Sequence, residues 1–378
     1  MRQIKGHASR RFRPVMGIIA TQPRPVYARR NIILVTERLD GSSIGYKACI
    51  TSGKRGCFFH PDHIYACHAA HTLHDGDIVR MEPDGTIDVL WESSSHHNAF
   101  MLTEACNCRC VMCPQPPREH EPQRLRESYA VLDLLKGEQI EQFCITGGEP
   151  TLLGDAFTEF LAACIAAHPE ASIDILTNGK AFSDRKFTRK VAQTVTQNVC
   201  FCVSLHSDID TLHDFIVGSQ GSYAKTSQGI YNLAEYGCKL EIRHVINVCN
   251  AKYLHRFSEH IYNYYPFCSH YAFMGMELYG KAAENWENLD ISPLEYRQEL
   301  CDAVLCLHRR ALPVSIYNVP LCLCAPEARK FCRQSISSWK NVYLPQCREC
   351  AVRQQCAGFF ATSIRVPVHH IQPIRGEV

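Results

Sequence analysis

Between residues 99 and 308 the chain alternates short apolar runs with longer amphipathic ones, and this alternation restricts the fold more than any other feature. Residues 99–103, 142–146, 172–177, 199–205, 240–246 and 271–278 have the length and apolar content of buried strands. Residues 156–168, 184–195, 221–236, 254–264 and 293–310 carry helical periodicity. Six strands alternating with helices predict a parallel sheet with right-handed crossovers.

The flanking regions have a different texture. Residues 1–95 form short alternating runs split by turn signals. Two of them, 77–81 and 86–91, bracket Pro83-Asp84-Gly85, which predicts a hairpin in a small β-rich domain. Ser93 to Asn98 reads as a linker. Residues 311–378 are short and dense in cysteine, and the Pro- and His-bearing tail from Val366 is expected to be weakly ordered.

The formal net charge of +2 gives no global field for nucleic acid or an anionic membrane surface, so neither is an expected partner. No run approaches the ~20 apolar residues of a membrane span. The apolar stretch 15–20 is too short for a signal peptide and is broken by Gly17. The expected location is therefore cytoplasmic. In that setting 22 cysteines in 378 residues predict metal ligands plus ordinary packing residues rather than a disulfide framework. Cys144, Cys164, Cys202, Cys238, Cys301 and Cys306 lie in apolar periodic segments and read as packing residues. His60, His63, His68 and His71 crowd near Cys57 and Cys67 without a ligand spacing, and read as surface or hydrogen-bonded histidines.

Cys106, Cys110 and Cys113 follow the first strand of the alternating region in the pattern Cys-x3-Cys-x2-Cys. Thiolates are the usual ligands of iron–sulfur clusters. Three of them leave one iron of a four-iron cubane open to a small molecule. Loops at the C-terminal ends of barrel strands also gather active sites. Cys108 lies inside the motif, so zinc held by Cys108, Cys110 and Cys113 is the alternative. At the end of the second strand stands Gly147-Gly148-Glu149-Pro150. The glycines permit close backbone approach, and Glu149 offers a charge-assisted acceptor for an ammonium group. Taken alone, the same turn is a helix start with proline at its first position.

Together the cysteine motif and the Gly-Gly-Glu-Pro turn resemble the radical S-adenosylmethionine superfamily across residues 99–308. The resemblance implies an α/β fold: a partial (β/α)6 TIM-like barrel over 96–310, after the β domain of 1–95 and before a cysteine-rich extension over 311–378. It implies that Cys106, Cys110 and Cys113 are the catalytic-cluster ligands, holding a [4Fe-4S] cluster. Gly147, Gly148, Glu149 and Pro150 would then surround the methionine moiety of S-adenosylmethionine. One electron from the cluster would cleave this cofactor to a 5′-deoxyadenosyl radical, which abstracts hydrogen from the substrate. Asn178, Ser204, Arg243 and Asn247, on the third to fifth strands or at their ends, are further candidates for the carboxylate, ribose and adenine. Met112 stands where many members carry an aromatic residue. The segment from His213 to Tyr223 looks like one found in peptide-modifying members.

Cys347, Cys350 and Cys356 form Cys-x2-Cys-x5-Cys, similar to the auxiliary-cluster extensions of radical enzymes that modify peptides. Phe360 stands where the full motif has another cysteine, which favours one auxiliary [4Fe-4S] cluster, with Cys322 as fourth ligand and Cys324 in reserve. Structural zinc on the same thiolates is the alternative. The runs Leu102 to Pro117, Ile316 to Cys322, Gln334 to Lys340, Tyr343 to Cys347 and Cys356 to Phe360 resemble the C-type radical maturases of the His-Xaa-Ser peptide system. That resemblance implies a ribosomally made precursor peptide as substrate and a second radical maturase as partner. An electron donor such as flavodoxin or ferredoxin is implied as well.

Overall fold

The computed structural model describes residues 2–10, 12–54, 62–119, 122–337, 339–362 and 371–376. Cys57 and His60, with residues 366–370 and 377–378 of the tail, lie outside the described residues.

The chain divides into two compact units. The first comprises residues 1–99 with 127–139. Its strands are β1 (Arg2–Lys5), β2 (His7–Ala8), β3 (Val15–Ala20), β4 (Ile32–Thr36), β5 (Ala48–Thr51), β6 (His63–Tyr65), β7 (Ile78–Met81) and β8 (Thr86–Trp91). They form one mixed sheet in the order β1-β8-β7-β3-β4-β5-β6-β2. The expected hairpin is β7–β8, paired antiparallel. The outermost strands, β1 and β2, are consecutive in sequence and meet at Gly6, so the sheet curls back on itself. A Cβ at Gly6 would lie 2.6 Å from Ile64 Cγ2, which is why this bend takes no side chain. Alternating residues of these strands (Ile19, Ile33, Ile50, Ile64, Val79, Ile87) fill the core. The end of a helix that the periodicity does not reveal, α1 (Pro122–Leu134), belongs with this unit, and Arg80 pairs with its Glu127.

The second unit comprises residues 100–126 and 140–378. Its sheet contains β9 (Ala99–Met101), β10 (Gln142–Thr146), β11 (Ser172–Thr177), β12 (Val199–Ser204), β13 (Lys239–Ile246), β14 (His270–Gly275), β15 (Val314–Tyr317) and β16 (Cys332–Arg333). The helices between them are α2 (Asp155–Ala167), α3 (Arg185–Ala192), α4 (Asp210–Val217), α5 (Ser222–Glu235), α6 (Leu254–Tyr264), α7 (Lys281–Glu284), α8 (Trp286–Leu289) and α9 (Pro293–Arg309). Every strand lies beside its predecessor, and β10 through β16 pair in parallel. A doubly wound sheet reverses its strand order midway. This one steps in a single direction, as a barrel does.

The six expected strands are β9–β14. Two more, β15 and β16, carry the sheet past residue 310 into the cysteine-rich region. They give little sequence signal, because β15 has four residues and β16 two. A two-stranded ribbon of β17 (Asn341–Val342) and β18 (Phe359–Phe360) follows. One face of the sheet is apolar and fully buried, through Phe143, Ile145, Ile173, Ile175, Phe201, Val203 and Ile242. The other face carries Cys144, Asp174, Cys200, Cys202, Glu241 and Arg243, as the period of two requires. Local signals start the longest helix. Ser292 and Glu295 form a reciprocal capping box ahead of α9, with Pro293 at its first position.

Candidate active site

The Gly-Gly-Glu-Pro turn leaves the end of β10 and is stitched to the segment that leads into Cys106. Gly148 N donates to Thr103 O at 2.7 Å, and Glu149 N donates to Ala105 O at 2.8 Å. This approach leaves no room for side chains. A Cβ on Gly147 would stand 2.7 Å from Thr103 O, and one on Gly148 would collide with the Ala105 carbonyl. Gly148→Ala is therefore expected to displace the cysteine loop at a cost of about 1–3 kcal/mol. Iron content after anaerobic reconstitution should fall with it. Full iron loading in that variant would show that the loop does not depend on this contact.

Glu149 is buried, and its carboxylate is surrounded by donors. Oε1 accepts from Thr151 N at 3.1 Å, Thr151 Oγ1 at 2.6 Å and Thr177 Oγ1 at 2.8 Å. Oε2 accepts from Asn178 N at 2.7 Å. Burial pushes its pKa upward, and these hydrogen bonds oppose that push. Four donors surround the carboxylate, and among the described residues no cation pairs with it. A buried carboxylate in this state gains most from an incoming cationic group.

The cysteine loop is clamped from two sides. Arg109 N and Val111 N donate to Val217 O and Ile216 O at the end of α4, both at 2.9 Å. Lys281 N donates to Cys113 O at 2.9 Å, and Asn285 Nδ2 to Val111 O at 2.8 Å. The His213–Tyr223 segment thus begins on a helix that holds the loop. Cys106, Cys110 and Cys113 are half-buried in this frame, and burial pushes the Cys110 thiol up to about 12. Cys108 is buried beside Cys106, whose sulfur accepts from Cys108 N at 3.4 Å. Lys180 Nζ lies 3.6 Å from its sulfur and Asn178 Nδ2 lies 3.5 Å away. Asn178 also donates to Asn107 Oδ1 at 2.7 Å, which ties the cysteine loop to the Glu149 turn. Lys180 and Thr177 are working parts of the site that carry no motif signal of their own. Their only marker is their place beside Asn178 and Gly179.

The remaining candidates are spread over the following strands. Ser204 is half-buried at the end of β12. Asn247 is fully buried just beyond β13, with its Nδ2 3.6 Å from Met112 Sδ. Met112 itself packs with Ile216, Leu278, Ala282 and Leu289. Arg243 lies deeper in the sheet, where Glu241 binds it and Asp174 Oδ2 stands 3.9 Å away.

In the C-terminal region Cys322, Cys347, Cys350 and Cys356 line one small cavity, with Leu321, Tyr343 and Phe359. Cys356 Sγ accepts from Leu321 N and Gly358 N, both at 3.4 Å. Amide hydrogen bonds of this kind favour a ligating thiolate. Burial pushes Cys322 up to about 12, and its neighbours Cys356 and Cys347 add to the push. Burial and the neighbouring cysteines disfavour the ionisation of Cys322 and Cys356, which suits a cationic occupant. Cys324 is hydrogen-bonded to Cys332 instead and does not line this cavity. In the N-terminal unit, His63 is buried against Thr51 Oγ1 at 2.9 Å, Cys67 is core, and His71 is hydrogen-bonded to His68 O.

The Radical SAM superfamily profile matches residues 100–248. Mycofactocin maturase MftC of Mycobacterium tuberculosis is 30% identical over 178 residues, covering 46% of this chain and 41% of that protein. Antilisterial bacteriocin subtilosin biosynthesis protein AlbA of Bacillus subtilis is 26% identical over 155 residues, covering 37% of this chain and 31% of that protein. The chain therefore spans well under half the length of these curated relatives. The crystal structure of Streptococcus suis SuiB bound to S-adenosylmethionine superposes with a TM-score of 0.50 at 16% identity, covering 67% of this chain and 56% of that one. This is a likeness of fold, and it fits the α/β sheet described above. The profile match runs from β9 to just past β13 and takes in both the cysteine loop and the Glu149 turn. No helix among the described residues is long and apolar enough to cross a membrane. Residues 100–248 thus carry a match to the radical S-adenosylmethionine superfamily, whose members use a [4Fe-4S] cluster and S-adenosylmethionine.

Proposed function

We propose that the chain is a radical S-adenosylmethionine maturase of a ribosomally made precursor peptide. The observation that carries the reading is the buried, cation-free carboxylate of Glu149, hydrogen-bonded through its own backbone to the loop that bears Cys106, Cys110 and Cys113. These three cysteines hold the cluster. Gly147, Gly148, Glu149 and Pro150 receive the methionine ammonium end, Asn178 steadies the turn, and Ser204 and Asn247 face the nucleoside. Arg243 is engaged by Glu241 and Asp174 and takes no part in this assignment. When bound, the cluster and S-adenosylmethionine supply one-electron cleavage and hydrogen abstraction. The chain's own residues bind, orient and keep water out.

Two considerations support a peptide as substrate. The similar proteins include a mycofactocin maturase and a bacteriocin biosynthesis protein. Cys322, Cys347, Cys350 and Cys356 also gather as an auxiliary site would require. Within the peptide class the proposed substrate is of the His-Xaa-Ser type, processed beside a second radical maturase, with reduction by flavodoxin or ferredoxin. Loss of S-adenosylmethionine cleavage under dithionite in Cys106→Ala tests the enzyme class. A mass change in the precursor peptide on co-expression with both maturases tests the substrate. An unchanged peptide beside an enzyme that still cleaves its cofactor would reject the peptide assignment alone.

The auxiliary assignment has its own expected result. Cys347→Ser and Cys356→Ser should each lower iron from about eight to about four per chain, while Cys324→Ser keeps about eight. Zinc in place of the missing iron would turn the assignment towards a structural zinc site.

A further inference from the structure

A second set of ligating side chains lies inside the same sheet, deeper than the layer that carries Thr177 and Ser204. Asp174 on β11 and Cys200 and Cys202 on β12 bring a carboxylate oxygen and two sulfurs within 4.8 Å of one another. Among the described residues, no other three His, Cys, Asp or Glu side chains meet that limit. The period of two puts Cys200 and Cys202 on one face of their strand. The parallel register sets Asp174 opposite Cys200 and Cys144 opposite Asp174.

The spacing selects the kind of occupant. Metal–sulfur bonds of about 2.3 Å in a tetrahedral site bring the ligand atoms to within about 4 Å of one another. Thiolates on different irons of a cluster stand farther apart. The set around Asp174, with its ligand atoms all within 4.8 Å, comes nearer the bite of a single ion than the motif cysteines, which do not meet that limit.

The surroundings fit as well. A thiol that only fills space belongs among apolar neighbours. These thiols lie beside Asp174, Glu241 and Arg243 instead. Two thiolates and a carboxylate around a divalent ion leave one negative charge, and Arg243, which it would share with Glu241, stands 3.9 Å from Asp174. His270 is not a further ligand, since its Nδ1 is 2.7 Å from Glu241 Oε2 and its Nε2 is 3.0 Å from Ser315 Oγ. The Asp174 side chain is 40% exposed, which leaves an entry path.

We propose that Asp174, Cys200 and Cys202 bind one thiophilic divalent cation, zinc in the first instance, with Cys144 or a water as fourth ligand. The ion would pin β11 to β12, whose far ends carry Thr177, Asn178 and Ser204.

The test uses the full chain, expressed with added zinc and purified anaerobically with its clusters in place. Elemental analysis should find about one zinc per chain. Cys202→Ser and Asp174→Asn should each lose that zinc and keep their iron and visible cluster absorption. Cys347→Ser should keep the zinc. X-ray absorption at the zinc edge should show two or three sulfur neighbours with oxygen completing the shell. A wild-type protein with less than about a tenth of a zinc per chain overturns the site. So does zinc that survives both substitutions, or a shell of four sulfurs, which would place the ion at the C-terminal cysteines. If Cys202→Ser fails to fold, the isosteric Asp174→Asn and the wild-type absorption edge still decide the matter.

Discussion

Glu149→Gln in the cluster-loaded protein should weaken S-adenosylmethionine binding by about 10²–10³-fold while leaving the fold and iron content close to wild type. Removing one partner of a buried, hydrogen-bonded charge pair costs about 2–5 kcal/mol, and each 1.4 kcal/mol is tenfold in affinity. The free protein should tolerate the change because two effects oppose each other there. The amide no longer buries a negative charge without a counter-ion. In exchange, its NH2 group meets the Asn178 N–H that Oε2 now accepts, since Oε1 takes the other three donors. Calorimetric titration with S-adenosylmethionine, beside a thermal melt and iron assay of the same sample, separates binding from folding. Binding within about threefold of wild type, with iron retained, would remove Glu149 from the cofactor site.

Much of the second unit could be read from the chain because its strands and helices each span enough residues to show their period. Residues 142–146, 172–177 and 254–264 match β10, β11 and α6 end to end. Failures came where an element was short or its pattern was set by distant partners. Helix α1 has an outward face rich in Arg, Glu and Asp; it buries Ser128, Val131 and Leu132, and its Glu127 pairs with Arg80, 47 positions away. Strand β16 has only two residues and owes its pairing to Ile316 and Tyr317 of β15. At the site, Cys106, Cys110, Cys113 and Glu149 stood out through their spacing. Lys180 and Thr177 did not, because each acts through a contact with a residue far away in sequence. Cys202 illustrates the same limit from the other side. An apolar run of Val199, Phe201 and Val203 makes its neighbour look like packing, but the strand turns alternate residues to opposite faces. Cys202 therefore faces Asp174 and Arg243 rather than the apolar layer.

Stability should fall steeply between pH 6.5 and 4.5, before most carboxylates titrate. His206, His213 and His244 are all buried, with ring centroids about 6 Å apart for His206–His213 and 6.1 Å for His206–His244. Burial lowers the pKa of each, and neighbouring histidines or Lys180 add to the effect. His213 is brought to about 4 and His244 to about 3. The geometry agrees for His244, whose Nδ1 is hydrogen-bonded to Leu205 O while its Nε2 is buried beside Phe257 without a hydrogen-bond partner among the described residues. A proton there would add an unsolvated charge. Because these folded-state values lie below the unfolded value near 6.5, the unfolded chain binds more protons as pH falls, so the stabilisation present at neutral pH is lost on acidification. His213 and His244 each contribute about 1.4 kcal/mol of loss per pH unit across the window, and His206 adds in the same direction. Together they reach the lower end of a whole domain's stability, about 5–15 kcal/mol. Glu241 does not confuse the measurement. Burial pushes it up, but His270 and Arg243 hold it at about 2, so its own contribution is lost only at lower pH. Thermal melts of the anaerobic protein from pH 7.5 to 4.5 should therefore slope downward. His244→Phe, which replaces the imidazole with a ring suited to its Phe257 and Phe273 neighbours, should flatten that slope by about one proton's worth. An unchanged slope in His244→Phe would remove this histidine as a source of the acid sensitivity, and a flat wild-type profile would remove all three.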